Sequence, residues 1–216
     1  MKKIFVILFI WISTFLFSQE RLIEEREVKL NNIEIITDGL DDIVIENSDN
    51  DQIKILLLDK NPNTHNIIFK EDETILKVSF QLNFDIFKEN VFRKYITKRL
   101  QKASVVVKTP KNKNITIYGK TISVNSKSYQ GDLSVFIDKG NVQLNRILGN
   151  VQVSFFSGNI SARINENTNT NLKTRNGKVV INNKDCNNLY SREIIKNNNF
   201  TFNVNSINGN VNLIRE

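Results

Sequence analysis

Residues 140–164 read GNVQLNRILGNVQVSFFSGNISARI. Gly recurs at 140, 149 and 158, each time followed by Asn, an aliphatic residue, a polar residue and a second apolar one. Apolar residues two apart with a polar residue between them are the mark of a strand with one buried face. A strand of about five residues spans only about 16 Å, and the Gly-Asn pair before it accepts a left-handed backbone at little cost. Each nine-residue unit therefore reads as one strand and one turn.

The same frame extends backwards through Ile115/Ile117, Ile122/Val124 and Leu133/Val135, and forwards through Val142/Leu144, Val151/Val153 and Ile160/Ala162. Equal units joined by equal turns form either a meander or a solenoid in which every second or third unit lies over an earlier one. The solenoid accounts better for a fixed period, because stacking identical rungs demands equal perimeter. The expected fold is thus all-β: a single-stranded β-helix, or solenoid, of strand-turn units about nine residues long. The chain holds 33 Asn and only 2 Pro, and Asn both tolerates the turn conformation and hydrogen-bonds along a stack of equivalent positions.

The first half repeats more loosely, at Ile33/Ile35, Ile43/Ile45, Ile53/Ile55, Ile67/Phe69 and Leu76/Val78. These read as irregular first coils over 28–80, with regular repeats over 103–164 and final coils over 165–216, interrupted by an excursion at 182–200. One stretch breaks the strand pattern. In NVFRKYITKRLQK (90–102), Val91, Phe92, Tyr95, Ile96 and Leu100 recur at three and four, which predicts a short amphipathic helix with Arg93, Lys94, Lys98 and Arg99 on its other side.

The run VVVKTPKNKNITIYGK, the serial Gly-Asn/Asp-aliphatic units, LKTRNGKVVI and the terminal SINGNVNLIRE together resemble the adhesin-like β-helix proteins exported by Gram-negative bacteria. That family, of unknown function, is related to the auto-transporter adhesin head domains that carry a Gly-Ile-Asn motif. The resemblance covers roughly 30–216 and implies a β-helix in the periplasm or on the cell surface, with no assigned catalytic residues. The segment 90–102 and the stretch 182–200 depart from it.

The start of the chain agrees with export. Lys2 and Lys3 precede fourteen uncharged residues, Ile4 to Phe17, and then Ser18, Gln19 and Glu20. This is the layout of a signal peptide over 1–18, too short for a membrane anchor, leaving 19–216 as a single elongated domain. Cys186 is the only thiol, so no disulfide forms within the chain. The formal charge of +7 is unevenly spread, with a net of −3 over 1–100 and +10 over 101–216. Such an excess suits an anionic polysaccharide or membrane headgroups, a cell-surface protein being the other partner expected; export makes nucleic acid an unsuitable one.

Chemistry is sparse. Asp132 and Asp138 bracket one strand about 20 Å long, too far apart to act as a glycosidase pair. The calcium nonapeptide also has a period of nine, but three of the four units from 131 to 166 have Asn where the first has Asp132. His65 is the only His and is expected in a surface loop beside Pro62, which leaves no His-based triad, metal site or cofactor site. Phe155 keeps the inward parity of Val151 and Val153, so Phe156 is expected outside. The reading is a non-catalytic envelope protein that binds an anionic surface through Arg93, Lys94, Lys98 and Arg99, with Lys127, Arg146, Arg163, Lys173 and Arg175 as further cations. The alternatives are a polysaccharide-acting enzyme on a β-helix scaffold and a periplasmic module for one protein partner.

Overall fold

The computed structural model describes residues 21–59, 65–82, 103–194 and 200–216. Among these the chain is all-β, with seventeen strands in one mixed sheet and no helix. The stretch 90–102, where an amphipathic helix was expected, lies outside the described residues, as does the N-terminal segment 1–20.

In the repeat region, strand period and glycine corners act together. Strand β10 (Leu133–Asn145) buries Leu133, Val135 and Ile137, exposes Asp138, Lys139 and Asn141, then buries Val142 and Leu144. Inward parity switches from odd to even at the corner, where Gly140 has φ +151°. Strand β12 (Val151–Ile164) repeats the pattern and lies parallel to β10, Leu133 opposite Val151 and Gly140 opposite Gly158. Equivalent positions on neighbouring rungs are eighteen residues apart, as with Asn141 and Asn159. Two nine-residue units thus make one rung, and every second unit pairs with an earlier one.

The register matches the periodicity. Val151, Val153, Phe155, Ile160 and Ala162 are buried, whereas Gln143, Gln152, Phe156 and Ser161 are exposed. Val153 is 0% exposed, so the choice of face is complete. Side-chain amides run up one corner: Asn159 Nδ2 donates to Asn141 Oδ1 and Asn210 Nδ2 to Asn159 Oδ1, each at 3.1 Å, and Lys178 N donates to Asn210 Oδ1. The expected Asn stacking is therefore present.

The rungs form two columns. One contains, in pairing order, β5 (His65–Glu71), β6 (Ile75–Leu82), β2 (Asn32–Ile36), β8 (Asn114–Thr121), the first halves of β10, β12 and β17 (Thr201–Arg215), then β13 (Asn169–Thr174) and β16 (Leu189–Arg192). The other contains β1 (Arg21–Glu27), β4 (Gln52–Asp59), β7 (Ala103–Thr109), β3 (Asp42–Asn47), β9 (Ser123–Gln130), the second halves of β10, β12 and β17, then β14 (Val179–Ile181) and β15 (Lys184–Cys186). Their inward residues belong to one continuous core. Central pairs are parallel; the outermost pairs, and β4–β7 next to one of them, are antiparallel.

Spatial order departs from chain order twice. β2 and β3 lie between β6/β7 and β8/β9, and β17 lies between β12 and β13/β14. The periodic sequence carries no sign of this interleaving. Part of the expected excursion at 182–200 is a hairpin: Asn182 and Asn183, both at positive φ, turn β14 into β15 with Ile181 opposite Lys184, the tight turn that Asn favours. His65, expected in a loop, opens β5 opposite Leu82.

Candidate functional site

At the ends of the second-column strands the corners differ in length, and that difference makes a hollow. After β10 the chain turns through Arg146 (φ +49°) into the short strand β11 (Ile147–Leu148), which pairs with the end of β9, Ile147 opposite Tyr129. The next rung does not follow this corner. The end of β12 pairs instead with the end of β17, where Glu216 N donates to Ile164 O. Leu148 is left 54% exposed on the floor of a hollow of about 370 Å³, which Lys111, Arg146, Arg163, Asn47, Asn165 and Glu216 also line.

Tyr129, opposite Ile147, also lines the hollow. Its ring is buried, and its hydroxyl donates to Lys113 O at 2.6 Å. Burial pushes the Tyr129 hydroxyl well above its usual range, so it stays a neutral donor. The rim is mostly cationic. Arg163 Nη1 lies 3.3 Å from Glu216 Oε1; among the described residues neither Lys111 nor Arg146 has an ion pair. Exposed pairs such as Arg163–Glu216 contribute little to stability.

The hollow is also rich in hydrogen-bond donors. Asn47 Oδ1 accepts from Gln130 N, and Asn165 Oδ1 accepts from Asn167 N. Those bonds fix the orientation of both amides and leave each Nδ2 as a donor.

The cations expected from sequence are dispersed by the fold. Arg93, Lys94, Lys98 and Arg99 lie outside the described residues. Lys127 sits 2.7 Å from Glu46, which Lys108 also approaches. Lys173 lies on β13 opposite Asn205, and Arg175 N donates to Ser206 O, both in the other column. Only Arg146 and Arg163 come to one place. Lys111, which joins them, counted in the sequence merely as part of a basic run. What would have found the site is the two-unit step, because Arg163 pairs with Asn145 beside Arg146.

A second hollow of about 360 Å³ lies on the outer face of the first column, between Phe136, Phe156 and Ile207 with Asp138, Ser154 and Asn205. Tyr118 and Phe136, opposite each other on adjacent rungs, stack with centroids 5.4 Å apart. Asp132 is occupied structurally, accepting from both the backbone and the side-chain nitrogen of Asn150. Among the described residues no three His, Cys, Asp or Glu side chains gather into a metal-binding group.

No family model matches the chain, and no curated protein matches it in sequence. Among solved structures it is similar to a "putative cell adhesion protein" from Clostridium sporogenes, with 12% identity and a TM-score of 0.58 over 91% of this chain and 100% of that one. A "putative adhesin" from Bacteroides fragilis aligns with 92% of this chain and 98% of its own at 12% identity and a TM-score of 0.35. One from Parabacteroides distasonis aligns with 91% and 97% at 13% identity and a TM-score of 0.26. Likeness at such identity shows a shared fold and no more, and only the first superposes closely enough to show that. The fold class is therefore one that a protein of that description also uses; the relation to Gly-Ile-Asn head domains is not among these likenesses.

Proposed function

We propose that this chain is an exported, non-catalytic binding protein of the cell envelope, adhesin-like in role, that recognises an anionic surface or glycan. In this reading the parallel rungs are a flattened solenoid of two strands per coil, and residues 1–18 are a signal peptide removed on export. The observation that carries the reading is the pair Lys111 and Arg146, two cations in one concave place that have no ion pair among the described residues. A stack of regular strands offers long faces for many weak contacts; a hollow with free charge gives those contacts a centre. The basic segment with Arg93, Lys94, Lys98 and Arg99 adds a further cationic contribution, and the fold it shares with a "putative cell adhesion protein" is compatible with this role.

Charge-driven recognition weakens as salt shortens the Debye length from about 10 Å at 0.1 M to about 3 Å at 1 M. The mature chain, residues 19–216, should be retained on immobilised polygalacturonate at low ionic strength, released by salt, and pass through neutral dextran. Equal retention on both matrices, or none on either, would overturn the proposal.

A further inference from the structure

We propose that the hollow at the ends of β9, β11 and β12 is a subsite for one hexuronate unit of an acidic saccharide, its carboxylate held by Arg146 and Lys111. This deepens, and rests on, the anionic-ligand reading.

Three features define the occupant. The first is the excess of donors. Lys111, Arg146, Arg163 and the Nδ2 groups of Asn47 and Asn165 all donate, whereas among the described residues Glu216 supplies the one acidic side chain of the rim. Such a site selects a ligand rich in acceptors, and a sugar acid offers a carboxylate together with hydroxyl and ring oxygens. A guanidinium matches a carboxylate with two parallel bonds, which a point charge does not. The second is the exposed Leu148 on the floor, apolar surface against which the C–H face of a pyranose can lie while its oxygens reach the rim. The third is shape. About 370 Å³ falls at the small end of ligand sites, room for a sugar unit or two. Cations set in a recess also meet a projecting sugar acid more readily than a flat layer of headgroups.

Glu216 acts as an internal competitor. Its carboxylate engages Arg163 and occupies one of the three cations that a ligand would use. Removing that charge should therefore tighten binding.

The test is calorimetric titration of the mature chain with a galacturonate trisaccharide, with maltotriose as the neutral comparison. Arg146→Asn removes the charge while keeping a residue that tolerates the left-handed backbone at this position, so the turn is retained. Saturable binding of the uronate alone, weakened at least tenfold in Arg146→Asn, strengthened severalfold in Glu216→Gln and unchanged in Lys139→Gln, an exposed cation outside the hollow, is the expected result. Should polygalacturonate still bind while Arg146→Asn and Lys111→Gln leave the trisaccharide affinity unchanged, the subsite is wrong and the anionic reading stands. Equal affinity for maltotriose, or capture by anionic phospholipid vesicles without any uronate binding, also overturns the subsite. Failure of the wild type to bind any anionic polymer removes both proposals together.

Discussion

Gly158 stands directly over the carbonyl of Gly140, and a Cβ added to it would overlap that oxygen. With φ at +139°, the position excludes side chains twice, by conformation and by space. Gly158→Val should cost at least about 2 kcal/mol in denaturant unfolding, since β-branched residues fit that region worst. Gly149 is a different case. Its φ is not among the positive ones, and the left-handed residue of its turn is Arg146; what excludes a side chain is the Gly131 carbonyl oxygen. The left-handed backbone that the Gly-Asn pair of each unit can accept is thus used at Gly158 and not at Gly149. Gly149→Ala should still destabilise, through crowding alone.

Register can be tested at neighbouring residues. Val153→Asp places an unpaired charge where exposure is 0% and should abolish cooperative unfolding, because a buried charge without a partner costs several kcal/mol. Gln152→Lys, one residue away on the exposed face, should change stability by less than about 0.5 kcal/mol. A melting curve for each variant decides the matter.

The last strand is an internal rung. β17 lies between β12 and β13/β14, with Val211 opposite both Ile160 and Val179. Val211→Asp should therefore be as damaging as Val153→Asp, although it lies only five residues before Glu216. Leu189→Ser, on the outer strand β16 and 67% exposed, should leave the melting temperature nearly unchanged. Intact unfolding cooperativity in Val211→Asp would contradict the interleaved order.

Tyr129 predicts an alkaline signature. Its hydroxyl is raised by burial in the folded state above the ordinary value of 10.0, so above about pH 10 the unfolded chain releases a proton that the folded chain retains. The stabilisation is complete below that pH and is lost as pH rises towards the folded value. Urea midpoints measured from pH 8 to 11.5 should fall more steeply for the wild type than for Tyr129→Phe. At pH 7 the same variant should lose about 1 kcal/mol through the missing bond to Lys113 O.

The strand period, the nine-residue unit and the face each unit buries are all legible in the amino-acid order alone. It separated Phe155 from Phe156 correctly, one 5% and the other 47% exposed, because parity along a strand is a local property of the backbone. The amide ladder through Asn141, Asn159 and Asn210 was legible for the same reason, since equal units bring equal residues together. Which rung lies on which emerges only from the packing of the folded chain. Strand edges present the same N–H and C=O groups whatever the sequence, so β12 could be covered by β13 or by β17 as far as backbone pairing is concerned, and packing of the whole core makes the choice. The hollow follows from that choice. Lys111, Arg146, Arg163 and Glu216 come from four separate corners, and no local pattern relates them, because their proximity depends on where the last strand enters the stack.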